Sequence, residues 1–97
     1  MNTAVQHYTT VTTAGGIQKC GRQVSAYCLR TDGANDATLK IHEGGPAGPV
    51  VWQDTCIGAD KAKPFSPRRP IGPSPTGDSV QFVEVTGTGA ECDVLWE

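Results

Sequence analysis

The sequence has little of what membrane insertion or export requires. No apolar stretch approaches the roughly 20 residues that a membrane-spanning helix needs. The first residues, numbers 1–8, have neither the basic start nor the apolar run of a secretory signal. We therefore expect no membrane segment and no export by a signal peptide, and we expect synthesis in a cytoplasm.

Positive charge is also scarce. Eight Lys and Arg residues stand against ten Asp and Glu, and the only run of like basic charge is the pair Arg68 and Arg69. A protein that neutralises several phosphates needs clustered basic residues. The composition therefore argues against a nucleic-acid partner.

Residues suited to catalysis are few. His7 and His42 are the only histidines, and His42 falls on the polar face of a predicted strand, which predicts a solvent-facing side chain. No glycine-rich phosphate loop is present, and the acidic turn after residue 31 lacks the twelve-residue pattern of a calcium loop. The sequence predicts no catalytic residue, no cofactor and no metal site, and we do not expect an enzyme.

The four cysteines lack the close pairs of a zinc site. Cys20, Cys28, Cys56 and Cys92 are separated by 8, 28 and 36 positions, whereas structural zinc sites favour pairs such as CxxC. Two alternatives for these cysteines stay open: buried free thiols, or at least one disulfide. Cys28, Cys56 and Cys92 fall on the same strand faces as apolar residues. This pattern favours unreactive thiols buried in apolar surroundings.

What the sequence does contain points to an all-β fold. Twelve Gly, seven Pro and eleven Thr punctuate a chain that is 37% hydrophobic, a composition too apolar for disorder and poorly suited to helices. Ninety-seven residues allow one domain, numbered 1–97. A core of this size is marginal alone, which favours a partner subunit or lattice.

Alternating segments separated by turn signals predict about six to eight short strands. We expect an antiparallel β-sandwich, of jelly-roll or immunoglobulin-like type, or a closed barrel. In the second segment, Val24, Ala26 and Cys28 are predicted to share one face, with Ser25, Tyr27 and Leu29 on the other. The predicted strands cover residues 4–13, 22–31, 37–42, 49–56, 79–85 and 92–96.

A proline-rich strap, residues 64–75, is the most unusual stretch. Four prolines recur with the polyproline II period of three: Pro64, Pro67, Pro70 and Pro73. Since proline lacks a backbone N–H, we expect an extended connection between sheets or a sheet edge, and we favour this over an SH3-type ligand. Arg68 and Arg69 at its centre are the best candidates for contacting an acidic partner, and the predicted interface consists of Arg68, Arg69, Pro67, Pro70 and Phe65.

Two turn motifs carry a resemblance to a known group of proteins. TDGANDAT at residues 31–38 and VTGTGA at residues 85–90 flank a Gly-rich turn, a hydrophobic strand and the strap. This outline, over about three quarters of the chain, resembles small β-sandwich virion proteins of tailed bacteriophages. That group usually has small or aromatic residues where this chain has Cys28, Cys56 and Cys92.

The resemblance implies a structural role on a phage particle. It implies a capsid decoration, or cement, protein that binds the major capsid protein lattice at the capsid surface, commonly as a homotrimer, after synthesis in the host cytoplasm. A neck, vertex or tail accessory protein of the virion is the close variant. The alternative from another class is a carbohydrate- or peptide-binding module that uses exposed aromatic rings at Tyr8, Tyr27, Trp52 or Phe65.

Overall fold

The computed structural model describes residues 6–72 and 79–97, so Pro73, Pro75 and the start of the first predicted strand lie outside the described residues. Eight β-strands and one short 3-10 turn, Gly58–Asp60, form the regular structure of these residues, and no α-helix occurs among them. The strands are β1 His7–Thr12, β2 Gln18–Lys19, β3 Val24–Arg30, β4 Ala37–Glu43, β5 Val50–Cys56, β6 Ala62–Phe65, β7 Gln81–Thr86 and β8 Glu91–Trp96.

The eight strands pair in a nested order, in which the first strand pairs with the last and the two middle strands pair with each other. β4 pairs with β5, β3 with β6, β2 with β7 and β1 with β8, all antiparallel. Pairing of β3 with β8 and of β4 with β7 then joins these strands into two sheets. Sheet A has the order β1-β8-β3-β6 and sheet B the order β2-β7-β4-β5. This is the jelly-roll arrangement, so the predicted antiparallel β-sandwich is confirmed and its type is decided.

The core lies between the sheets and follows the alternation of the strands. In β4, Leu39 and Ile41 are fully buried, and they lie opposite Val85 and Val83 of β7. Such cross-strand pairs of branched side chains stabilise a sheet face. The other buried core residues are Val11, Cys20, Val24, Tyr27, Leu29, Ala37, Cys56, Ile71, Ala90, Cys92 and Val94, with Trp52 and Trp96 packed partly against them.

A β-bulge in β3 reverses the alternation that the sequence predicts. The register between β3 and β8 shifts between Val24 and Ala26, leaving Ser25 as the extra residue. Val24 and Tyr27 therefore both face the core, while Ala26 and Cys28 share the outer surface of sheet A. The prediction that Val24, Ala26 and Cys28 share one face is wrong, because a simple period of two fails at a bulge.

The two turn motifs lie against each other at one end of the sandwich. Gly87, in the turn after β7, approaches the turn after β3 so closely that an added β-carbon would lie 2.2 Å from the carbonyl oxygen of Asp36. At Gly89, an added β-carbon would lie 2.8 Å from Cβ of Asp32. Gly87 and Gly89 of the second motif thus have a packing role, since only a residue without a side chain permits this approach.

Asp32 builds its own turn. Its carboxylate accepts hydrogen bonds from the backbone N–H groups of Asn35 (2.8 Å) and Ala34 (2.9 Å) and from the Asn35 side-chain amide (2.8 Å). These bonds, led by the backbone N–H of Asn35, lower the pKa of Asp32 to about 2. Both carboxylate oxygens therefore act within the turn, in the manner typical of Asp in Asx-turns.

Replacing Gly87 tests the contact between the two turns. Gly87 and Gly33 both have positive φ, 119° and 94°, but a β-carbon at Gly33 would meet nothing within 4 Å. We expect Gly33→Ala to cost about 1 kcal/mol of unfolding free energy from backbone strain alone, and Gly87→Ala about 2–4 kcal/mol because a clash is added. Chemical denaturation measures both values, and equal losses in the two variants would contradict the packing of the turns.

Candidate binding surface

One edge of the sandwich carries half of the basic residues. Residues 61–69, with the sequence KAKPFSPRR, contain four of the eight Lys and Arg residues and none of the ten Asp and Glu. They span β6 and the first part of the strap. We call this segment the basic edge. The rest of the chain holds all ten acidic residues and only four basic ones, so the low net charge conceals a pronounced asymmetry.

The fold explains why the segment lies at an edge. β6 pairs only with β3 and forms the border of sheet A, where the missing N–H of Pro64 interrupts no second ladder. The strap then returns to β3 at Ile71, whose backbone exchanges two hydrogen bonds of 2.8 Å with Val24. The chain continues to β7 in sheet B. The described part of the strap thus includes an edge strand and a second contact with β3, both in sheet A.

The five residues of the predicted interface lie along this edge. Arg68, Arg69 and Pro70 are exposed, Pro67 is half-buried, and Phe65 is 36% exposed. Within residues 6–72 and 79–97, no ion pair engages Arg68, Arg69 or the neighbouring Lys61. The binding role of the five residues stays a prediction.

Beside the basic edge, a polar and aromatic cluster closes the gap between the sheets. Tyr27 of sheet A donates its hydroxyl to Asp54 of sheet B and accepts a 3.0 Å hydrogen bond from the Trp52 indole N–H. Lys63 Nζ lies 2.6 Å from the other carboxylate oxygen of Asp54. Phe65 packs against both Trp52 and Tyr27, with ring centroids 5.5 and 5.6 Å apart. We call these five residues the closing cluster.

The charges in the closing cluster are set by burial and hydrogen bonding. Burial raises the pKa of Tyr27, and its hydrogen bond to Asp54 raises it further, so the hydroxyl keeps its proton. For Asp54, burial favours the neutral form, but hydrogen bonds from Lys63 and Tyr27 outweigh it and lower the pKa. An ionised Asp54 on the inner face of β5 is therefore stabilised by its partners rather than by solvent.

The four cysteines are free thiols, and they do not share one environment. Cys20, Cys56 and Cys92 are buried, whereas Cys28 is half-buried on the outer surface of sheet A. Burial raises the pKa of Cys20 and of Cys92 to about 12 and also raises that of Cys56. The expectation that Cys28 lies in apolar surroundings in the core is wrong, because the bulge in β3 turns its side chain outward.

Both histidines are engaged by structural neighbours. His42 lies on the outer surface of sheet B, but its side chain is only 13% exposed, which corrects the prediction that it faces solvent. Its Nδ1 lies 2.9 Å from the Gly48 carbonyl oxygen and its Nε2 3.1 Å from the Glu84 carboxylate. His42 thereby links β4 to the turn between β4 and β5, and also to β7. The His7 ring stacks on Trp96 at 4.4 Å.

Of the aromatic residues proposed for sugar stacking, one is widely accessible. Tyr8 is 66% exposed on β1, whereas Tyr27 is buried and Trp52 and Phe65 pack against each other in the closing cluster. Tyr27 and Trp52 also use their polar atoms within that cluster. Within the described residues, the four rings therefore do not form a common exposed platform.

The described part of the chain contains neither a metal-binding group of side chains nor a membrane-spanning helix. No group of three or more His, Cys, Asp or Glu side chains there is placed to hold a metal ion. No helix formed by these residues is long and apolar enough to span a membrane.

Comparison with known proteins gives no family assignment: no family profile, no curated protein and no solved structure matches the chain significantly.

The Tyr27 hydroxyl offers a direct test of the closing cluster. Tyr27→Phe removes the partner of Asp54 and of the Trp52 N–H, and we expect a loss of about 1–3 kcal/mol in unfolding free energy, because partly buried polar groups lose their hydrogen bonds. The matched control is Tyr8→Phe, which removes an exposed hydroxyl whose interaction with Asp93 is open to solvent, and it should change the value by less than about 0.5 kcal/mol. Denaturation monitored by tryptophan fluorescence gives both values. Similar effects in the two variants would contradict the role of Tyr27.

Thiol labelling tests the placement of the cysteines. In the native protein under reducing-agent-free conditions, we expect a disulfide-exchange reagent to modify Cys28 quickly and the three buried thiols only on unfolding, because the thiolate is the reactive form and burial disfavours it. Mass spectrometry of the labelled peptides identifies the site, and Cys28→Ser should abolish the fast phase. Rapid labelling of Cys20, Cys56 or Cys92 in the native state would refute this placement.

Proposed function

We propose that this protein is a structural protein of a bacteriophage virion, most specifically a capsid decoration protein that binds the outer surface of the major capsid protein lattice. It acts there as a homo-oligomer, and it is synthesised in the host cytoplasm. Its chemistry is binding rather than turnover. A neck, vertex or tail accessory protein is the close variant of the same proposal.

The observation that carries the proposal is the basic edge. Three exposed cations, Lys61, Arg68 and Arg69, lie on one border of the sandwich without ion-pair partners among the described residues. A surface of one sign, set against an otherwise acidic molecule, favours a partner with a complementary acidic surface. Proline fixes much of the backbone between these cations, which lowers the entropy lost when the segment binds.

Size and topology are compatible with this role. A small core without disulfides gains stability from any partner that binds only its folded state, and a repeating lattice supplies many such sites at once. The jelly-roll arrangement occurs in viral capsid domains and in lectins, so it accommodates the proposal without selecting it. The motifs that resemble phage virion proteins supply the specific choice of partner.

Charge reversal on the basic edge tests the proposal. We expect the double variant Arg68→Glu/Arg69→Glu to bind particles that lack the protein about tenfold more weakly, because each exposed charged contact is worth up to about 1 kcal/mol and reversal adds repulsion. Wild-type attachment should also weaken as salt rises. Quantitative sedimentation of particles with bound protein measures both effects.

A variant with the same change in net charge provides the control. Lys19→Glu/Lys40→Glu alters cations on sheet B, away from the basic edge, and it should leave attachment unchanged. Both double variants must show native denaturation curves. If the two bind alike, or if purified particles never contain this chain, the proposal fails. Copies at every lattice position indicate a decoration protein, and a single small ring of copies indicates a neck or vertex component.

A further inference from the structure

A groove crosses the outer surface of sheet A next to the basic edge. Its volume is about 410 Å³, within the range of sites that hold small molecules or single side chains. Because sheet A has the order β1-β8-β3-β6, the groove runs from one border of the sheet to the other. The side chains that form it are mainly Tyr8, Ala26, Cys28, Pro64, Asp93 and Leu95.

The surface of the groove is mostly apolar, and its one carboxylate is already engaged. Asp93 accepts a 2.8 Å hydrogen bond from the Thr10 hydroxyl and lies 2.9 Å from the Arg30 guanidinium. The nearby Asp93 carboxylate also raises the pKa of the Tyr8 hydroxyl. With these polar groups paired to each other, what the groove offers a ligand is chiefly apolar and aromatic area.

The groove is continuous with the basic edge. Pro64, Phe65 and Ser66 line it, and all three belong to residues 61–69. Phe65 is held by Trp52 and Tyr27, so the closing cluster fixes the border that the two features share. Arg68 and Arg69 follow Ser66 by two and three positions in the chain, so the border of the groove leads directly to exposed cations that favour negative charge.

We infer that the groove and the basic edge form one docking surface, which binds an acidic protein segment by inserting an apolar or aromatic side chain of that segment into the groove. The cations orient the segment, and the groove supplies an anchor. This inference rests on the proposed function for its biological partner, the capsid lattice, but its chemistry applies to the isolated chain. To the predicted interface it adds the groove, as the site that binds an anchor side chain of the partner.

The test uses the full chain labelled with nitrogen-15 and three synthetic pentapeptides followed by NMR titration. The probes are Asp-Glu-Trp-Glu-Asp, the same peptide with Ala in place of Trp, and Lys-Lys-Trp-Lys-Lys. We expect the first peptide to shift the amide signals of Ala26, Cys28 and Leu95 as well as those of Lys61 and Arg68. Loss of the tryptophan should weaken binding about tenfold or more, because burial of an aromatic side chain contributes roughly 1.5–3 kcal/mol. The basic peptide should not bind.

Cys28 supplies a second readout that does not depend on signal assignment. When nine tenths of the sites hold the tryptophan peptide, the labelling rate of Cys28 should fall about tenfold, because only empty grooves react. The alanine peptide should leave this rate almost unchanged at the same concentration. Leu95→Glu places a carboxylate in the groove, and it should abolish protection of Cys28 while a native denaturation curve shows that the fold is intact.

Several results would overturn the inference. Shifts confined to Lys61, Arg68 and Arg69 would mean that charge alone binds the peptide. Equal binding of the acidic and basic tryptophan peptides would remove the role of the basic edge. Stronger occupation of the groove by methyl glucoside, or stronger binding of an eight-nucleotide oligothymidylate, would assign the surface to a sugar or to nucleic acid. Peptide binding with no attachment to particles would instead leave the docking surface standing and refute only the proposed function.

Discussion

The Tyr27 hydroxyl lies at the point where the two sheets of the sandwich would otherwise separate. It donates to Asp54 and accepts from Trp52, both on the opposite sheet, and Lys63 neutralises the carboxylate that this arrangement requires. Each partner would be costly to bury alone, and together they satisfy one another. Phe65 covers the cluster from the edge strand. β5 and β6 are edge strands, each paired on one side only. The closing cluster therefore holds these two edges, one from each sheet, against each other.

This closure links stability to the surface that we assign to binding. Thr55, in the edge strand β5, has its backbone N–H bound by Asp54 and its carbonyl oxygen approached by Lys63 at 3.4 Å. Together with Pro64 in β6, these contacts restrict the backbone groups that a foreign strand could pair with. Trp52 and Tyr27 of the same cluster hold Phe65 at the border of the groove, and the exposed Arg68 and Arg69 follow it in the chain. Protection of an edge and presentation of a docking surface are thus two effects of one arrangement.

Much of the fold is predictable from the sequence because most strands alternate regularly. β4 and β5 match their predicted positions closely, and the prolines correctly place the described part of the strap at an edge of sheet A. Two strands escape prediction: β2 is only two residues long, and β6 contains Pro64. The position of Cys28 escapes too, because nothing local marks the bulge at Ser25. The groove could not be predicted, since Tyr8, Pro64 and Leu95 come together only through the strand order of sheet A.

The basic edge is only partly visible in the sequence, where Arg68 and Arg69 stand out as a pair, whereas Lys61, just before β6, and Lys63, within β6, do not. The most direct test of our account is hydrogen exchange of the protein alone and bound to phage particles, read at residues 61–72 and along the groove. We predict that exchange slows in these segments on binding while the outer surface of sheet B is unchanged. Unchanged exchange in residues 61–72, with new protection on sheet B, would contradict the account.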